Sequence, residues 1–247
     1  MGRVTAMLFS IFSYILGMVA IVGLILWIAG WYLPVTVNQG LAATQIGLHP
    51  ALAAIWNAGL VLIWGCQHSI MATPAFKDRW KNMIPASIER SSYVLIVAVL
   101  TIGLMLLWQP LAFVIWDVSA TIWGTALILI YLFGWVIVFI STFLINHFHL
   151  FGLQQAFENL TERQSKEMSF VTPMLYKLVR HPMMTGILIA LWAAPTMTLG
   201  HLVLAIGWTV YIYFGLRNEE KTLLVDLGDQ YRDYQQTTPM VIPFIKP

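Results

Sequence analysis

The sequence predicts an all-α integral membrane protein: a bundle of about six membrane helices with a C-terminal helical hairpin and a cytoplasmic tail. Three observations predict it. Of 247 residues, 59% are hydrophobic and only 10% charged, where soluble domains carry roughly 25% charged residues. Several uncharged apolar stretches approach or exceed the roughly 20 residues that a helix needs to cross about 30 Å of hydrocarbon. The basic residues fall in alternate gaps between those stretches, as in a chain threaded back and forth through a bilayer.

The first stretch, 7–31, is too long for a signal-peptide core. It ends at Gly30-Trp31-Tyr32-Leu33-Pro34 without a small-residue cleavage pattern, so it is expected to stay as a span. The second, 51–71, contains Cys66, the single cysteine, so no intrachain disulfide forms. The third and fourth are 92–116 and 122–145. The last two, 183–197 and 202–216, are short. Thr196, Thr198 and Gly200 separate them just after Pro195, which predicts a hairpin over 183–216 that barely spans. Residues 1–145 are then N-terminal membrane helices, and 146–247 form a second region that includes the hairpin.

Orientation follows from the 13 basic residues. Arg3 precedes the first helix, and Lys77, Arg79, Lys81 and Arg90 lie between the second and third. Arg163, Lys166, Lys177 and Arg180 lie between the fourth and fifth, and Arg217, Lys221, Arg232 and Lys246 follow the sixth. All sit on one side, which places both termini in the cytoplasm. Of the 11 acids only Asp117 falls in an outer loop, so function is expected at the inner face. A net charge of +2 leaves no electrostatic footprint for nucleic acid. The partner is the lipid bilayer, and the sequence sets no oligomeric state.

The densest polar information begins at Asn146-His147-Phe148-His149-Leu150-Phe151-Gly152. It continues through Ser169-Phe170-Val171-Thr172-Pro173, Tyr176 and Arg180-His181-Pro182. It resumes after the hairpin with Arg217-Asn218-Glu219-Glu220, Gly228, Tyr231 and Tyr234. Antiparallel helices return the chain to the face it left, so the hairpin can join the two blocks. Proline suits a helix start, and a glycine such as Gly186 admits a close backbone or ligand. Arg180-His181-Pro182 therefore opens a helix whose N-terminal dipole favours an anion, with Arg180 available for a bidentate carboxylate contact. On that motif alone, interfacial anchoring serves as well as ligand binding. Glu219 and Glu220 oppose the dipole at a helix C-terminus. Either the helix continues through Asp226, or the acids have a cationic partner: Arg180, Arg217 or a ligand amine.

His68, in Cys66-Gln67-His68-Ser69 at the polar end of an apolar helix, is a candidate functional group or an interfacial hydrogen-bonding residue. His147 is a second candidate base. No His-x-x-x-His pair or second cysteine supports a metal site, so none is expected.

Tyr176-x-x-x-Arg180-His181-Pro182-x-x-x-Gly186, the apolar hairpin, and Arg217-x-Glu219-Glu220 through Leu223, Gly228, Tyr231, Tyr234, Pro239 and Pro243 resemble the isoprenylcysteine carboxyl methyltransferase superfamily over about the last third of the chain. The resemblance implies an S-adenosylmethionine site at the inner membrane face, with Arg180, His181, Glu220 and Tyr231 enclosing the cofactor. It adds Pro182, Gly186, Glu219 and Tyr234 to the binding set and Arg217 to the catalytic residues alongside His68 and His147. Thr172-Pro173-Met174-Leu175-Tyr176 departs from the Gly-Pro-Tyr-like turn common in the superfamily. With the Asn146-His147-Phe148 and Gln67-His68-Ser69 segments, that departure looks like the bacterial methanethiol S-methyltransferase subfamily. The implied reaction methylates a small thiol, methanethiol giving dimethyl sulfide and S-adenosylhomocysteine. The alternatives are methylation of a lipid-like acceptor and a membrane protein that binds the cofactor without catalysis.

Overall fold

The computed structural model describes residues 2–163 and 170–245. Lys166, Ser169 and Lys246, used above, lie outside the described residues. The helices are α1 (Arg3–Ala29), α2 (Pro50–Ala72), α3 (Pro74–Lys81), α4 (Ala86–Leu107), α5 (Ile122–Ile145), α6 (His147–Leu150), α7 (Leu153–Thr161), α8 (Pro182–Trp192), α9 (Leu199–Leu227) and α10 (Asp229–Thr237). A two-stranded ribbon, β1 (Val114–Asp117) and β2 (Thr196–Thr198), pairs antiparallel.

Among the described residues five helices, α1, α2, α4, α5 and α9, are long and apolar enough to cross a membrane. The all-α membrane architecture therefore holds, and α8 is the shorter apolar helix beside them. At 11 residues and about 1.5 Å each, α8 rises only about 16 Å, half a bilayer core. Three boundaries also move. The third helix stops at Leu107 rather than 116, because Gln109 leaves the helical path: its N–H donates to Asn57 Oδ1 at 2.9 Å, and Pro110 follows. Residues 196 and 197, read as the end of the fifth helix, belong with Thr198 to strand β2. The sixth helix runs on to Leu227, since 217–227 holds neither glycine nor proline, and ends at Gly228 with φ 58°.

The chain divides into two compact units, Met1–Ala112 with Asn146–Met168, and Phe113–Ile145 with Ser169–Pro247. In the first, α1 packs along α4, and α7 lies against both. Ala6, Ser10, Ser13, Gly17, Ala20 and Leu24 form the buried stripe of α1, while Leu8, Phe12, Ile15, Val19 and Val22 stand exposed on another face. Small residues inside and large apolar ones outside is the pattern of a helix whose outer face meets lipid. A Cβ on Gly17 would come within 2.9 Å of Val94, so the glycine sets the α1–α4 separation. Ser91 Oγ donates to Ser10 Oγ at 2.7 Å, tying the same pair.

In the second unit α5 and α8 meet backbone to backbone at Gly134 and Gly186. A Cβ on Gly186 would lie 2.5 Å from the Gly134 carbonyl oxygen. Gly186 therefore faces the α5 backbone, the first of the two roles its sequence context allowed. The ribbon closes the other end of α8, with Trp116 Nε1 donating to the Ala194 carbonyl at 2.9 Å.

Candidate active site

The hairpin joins the two polar blocks at one buried ion pair. Glu220, on the C-terminal extension of α9, meets Arg180, two residues before α8, with side chains 10% and 6% exposed. Arg180 Nε donates to Glu220 Oε1 at 2.7 Å and Nη2 to Oε2 at 3.1 Å. His181 Nε2 lies 3.1 Å from Oε1, and since a carboxylate only accepts, the hydrogen sits on Nε2. Tyr231 Oη donates to Oε1 at 3.3 Å and Gln235 Nε2 to Oε2 at 2.9 Å. Five donors converge on the carboxylate, three on Oε1 and two on Oε2, which offsets the desolvation of a buried charge.

This answers the question the acids posed in sequence: α9 continues, and the cation facing Glu220 is Arg180. Arg180 was expected to offer a bidentate contact to a carboxylate, and the carboxylate that takes it here is the chain's own. Arg180 Nη1 donates to the Gln235 and Thr238 carbonyls. The helix N-terminus is likewise engaged. The N–H groups of Arg180 and His181 donate to the Pro239 and Met240 carbonyls at 2.9 and 3.0 Å, and Thr185 Oγ1 donates to the Val241 carbonyl at 2.7 Å. Pro182, buried at the first turn, starts α8. The C-terminal tail is thus strapped across the start of α8.

Burial, then the Glu220 charge, pushes the Tyr231 phenol well above the usual range, so it stays protonated and donating. Burial also raises Tyr234, whose hydroxyl donates to the Tyr176 carbonyl. Phe170, Tyr231 and Tyr234 meet edge-to-face, with centroids 5.6 to 6.1 Å apart. The Arg180–Glu220 pair lines a cavity of about 510 Å³ together with Arg217 and Lys221 and with the apolar Leu224, Val241, Ile242 and Ile245. Arg217 is exposed, its guanidinium 5.1 Å from the Tyr213 ring centroid. Glu219 is exposed, 4.0 Å from His181 Nδ1.

His68 and His147 belong to the first unit, each with a tyrosine. Tyr93 Oη lies 2.9 Å from His68 Nε2, and the Trp64 indole stacks on the His68 ring with centroids 4.8 Å apart. Tyr14 Oη lies 3.0 Å from His147 Nε2. Phe151 links the pairs: it meets the rings of Tyr14 and His147 and packs against the buried cluster of Met71, Tyr93 and Val94. Burial lowers the His147 pKa below its ordinary value, which keeps the ring neutral near pH 7. His49 and His201 are structural: one accepts from the Ala51 N–H, and the other lies 2.9 Å from the Leu191 carbonyl. Among the described residues no group of three or more His, Cys, Asp or Glu could hold a metal ion.

No family model and no solved structure matches the chain. Methanethiol S-methyltransferase of Mycobacterium tuberculosis is 41% identical over 244 residues, 99% of this chain and 98% of that protein. Methanethiol S-methyltransferase 1 of Bradyrhizobium diazoefficiens is 40% identical over 239 residues, 97% of this chain and 82% of that protein. The chain belongs to the methanethiol S-methyltransferase family. The similarity reaches further, to nurim of Bos taurus, 28% identical over 167 residues, 64% of this chain and 63% of that protein.

As a member of the methanethiol S-methyltransferase family the chain is a membrane-embedded enzyme that uses a methyl donor. Within that frame, sequence reasoning found the charged centre and missed its polar neighbours Gln235, Thr238 and Thr185, whose bonds are made largely through backbone carbonyls that no side-chain motif announces. Tyr14 was missed as well. Its signal was the polar run Ser10, Ser13, Tyr14 inside an otherwise apolar helix.

Proposed function

We propose that the protein transfers the methyl group of S-adenosylmethionine to methanethiol, giving dimethyl sulfide and S-adenosylhomocysteine. The near-full-length match to methanethiol S-methyltransferases carries the reading. The donor fits the second unit. A cavity of about 510 Å³ is in the usual range of roughly 300–1,000 Å³ for small-molecule sites. It offers cations for a carboxylate and an apolar wall for an adenosine.

Arg217 and Lys221 face the donor's carboxylate in this reading, with Glu219 beside them, and Leu224 and the 239–245 tail cover its apolar part. Arg180, His181, Pro182, Glu220, Tyr231 and Tyr234 hold the cradle's shape, and Gly186 seats α8 so that the cradle sits where it does. The cofactor region is thus the part of 146–247 from Phe170 onward, and 1–145 supplies the other membrane helices. Both termini are cytoplasmic, at a bacterial cytoplasmic membrane, as the basic residues direct.

When bound, S-adenosylmethionine supplies an electrophilic methyl carbon on a cationic sulfur. The chain's task is to present the thiol as its nucleophilic thiolate. His147, neutral near pH 7, takes the thiol proton, and His68 with Tyr93 is the second acceptor-side group. The new sulfur–carbon bond forms as the sulfonium–methyl bond breaks, the bonding pair staying with the departing sulfur. The proton on His147 then returns to solvent, completing the balance.

The test is methyl transfer by the purified, detergent-solubilised protein from labelled S-adenosylmethionine to methanethiol, with a prenylcysteine acceptor in parallel. Labelled dimethyl sulfide is the expected product. Transfer to the prenyl compound alone would overturn the thiol assignment.

A further inference from the structure

His147 is held more closely than a surface base needs. It lies 4% exposed at the first position of α6, ringed by Tyr14, Phe148 and Phe151 at centroid distances of 5.8, 5.4 and 4.8 Å. The preceding residue, Asn146, adopts φ 152°, an uncommon value for a residue with a side chain. It is fixed there by two bonds: its Oδ1 accepts from the His149 N–H at 3.1 Å, and its Nδ2 donates to Gln154 Oε1 at 2.6 Å. Strain of this kind persists where surrounding contacts over-determine it, as at functional sites. The Tyr14 hydroxyl reaches the His147 ring, 3.0 Å from Nε2. Tyr14 comes from α1, which Gly17 and Ser10 lock against α4.

We infer that Tyr14 is the positioning residue of the acceptor-side base: its hydroxyl fixes the plane and tautomer of the His147 imidazole so that the ring can take a thiol proton. The inference rests on the reading of His147 as that base. A phenol can donate to or accept from a ring nitrogen, and the hydrogen bond one nitrogen makes sets the state of the other. Charged groups on the neighbouring helices have partners of their own. Arg90 of α4 donates to the Leu150 carbonyl at 2.6 Å, and Glu158 of α7 accepts from Gln154 at 2.8 Å. Arg3 of α1 and Glu162, just after α7, pair with each other. Both Arg90 and Glu158 act on His149, while His147 is shifted by burial alone.

A positioning role depends on how much the acceptor needs a base, and a packing role does not. The experiment measures kcat and KM for Tyr14→Phe and His147→Ala with methanethiol and with trifluoroethanethiol, a more acidic small thiol already largely ionised above neutral pH. Calorimetric binding of S-adenosylmethionine to the same preparations reports on folding. Tyr14→Phe keeps the ring and loses one hydrogen bond, so kcat with methanethiol should fall about 10-fold, the size of one such bond. KM and donor binding should hold, and most of the loss should vanish with the acidic thiol. Unchanged kcat, or an equal loss with both thiols, overturns the inference. Full activity of His147→Ala overturns instead the reading beneath it, so the two failures are distinguishable.

Discussion

Glu220→Ala removes the carboxylate on which five donors converge and leaves the Arg180 guanidinium buried at 6% exposure. Breaking a buried pair by deleting one partner costs about 3–5 kcal/mol. Arg180 keeps the Gln235 and Thr238 carbonyls as acceptors, which sets the expected loss at the lower end, about 3 kcal/mol. For a chain of this size each kcal/mol moves Tm by about 2–4 °C. The midpoint should therefore fall by about 6–12 °C when tryptophan fluorescence follows thermal unfolding in detergent. Arg180→Met strands the acid in turn and should cost a similar amount. The double variant Arg180→Met with Glu220→Leu replaces both charges by apolar groups and should regain most of that stability. It should not regain S-adenosylmethionine binding, because His181, Tyr231 and Gln235 lose the acceptor that aligns them. If both single variants melt within about 2 °C of the parent, or the two losses simply add, the pair does not organise the cradle as argued.

Gly186→Val would drive side-chain carbons into the Gly134 carbonyl, already 2.5 Å from a single added Cβ. A loss of about 1–3 kcal/mol in thermal unfolding is expected, and a neutral result would show that α5 and α8 can part freely. Deleting the chain from Pro239 onward removes both the acceptors of the Arg180 and His181 N–H groups and one cavity wall. Donor binding by calorimetry should be lost, and retained affinity would place the donor elsewhere. Arg217→Met should weaken donor binding about 10-fold with no change in Tm, since the side chain is exposed; unchanged affinity counts against its role. Burial depresses the His147 pKa in the folded chain, so a base at this position stays neutral as pH falls through its ordinary value. The acid limb of kcat/KM should then lie below pH ~6.5, and a limb at or above that value would exclude His147. By the same sign, its contribution to folding is full above the unfolded pKa and disappears as pH falls through the lowered folded one.

Membrane class, the helix cores and the convergence of the Arg180 and Glu220 segments were legible in the sequence, because hydropathy and residue identity carry them. What hydropathy could not carry is conformation. The fifth helix was read as running through Met197, yet it ends at Trp192, and beyond Pro195 the pairing with β1 draws Thr196–Thr198 out as strand. Gln109 left its helix for Asn57, a partner 52 positions away that no local window contains. In the site, the motif marked Arg180 as a donor without telling which acceptor it would meet. Whether that acceptor is a ligand or the chain's own acid is decided by how far α9 continues, and uncapped helix ends of mixed charge leave that open in sequence.

The ribbon also resolves a mismatch of length inside the second unit. Arg180 and Glu220 stand 40 positions apart and touch at 2.7 Å, so the chain leaving one must climb as far as the chain arriving at the other descends. From Leu199 to Glu220, α9 descends about 32 Å at 1.5 Å per residue. In α8 the chain climbs only about 16 Å on the same pitch. A helix continued over the next six residues would add about 9 Å and fall short. Strand β2 covers three of those residues at about 3.3 Å each, roughly twice the helical rise, which narrows the gap. The short α8 and strand β2 are thus one solution to one constraint: fixed positions for Arg180 and Glu220 at one end, and a turn anchored on β1 at the other.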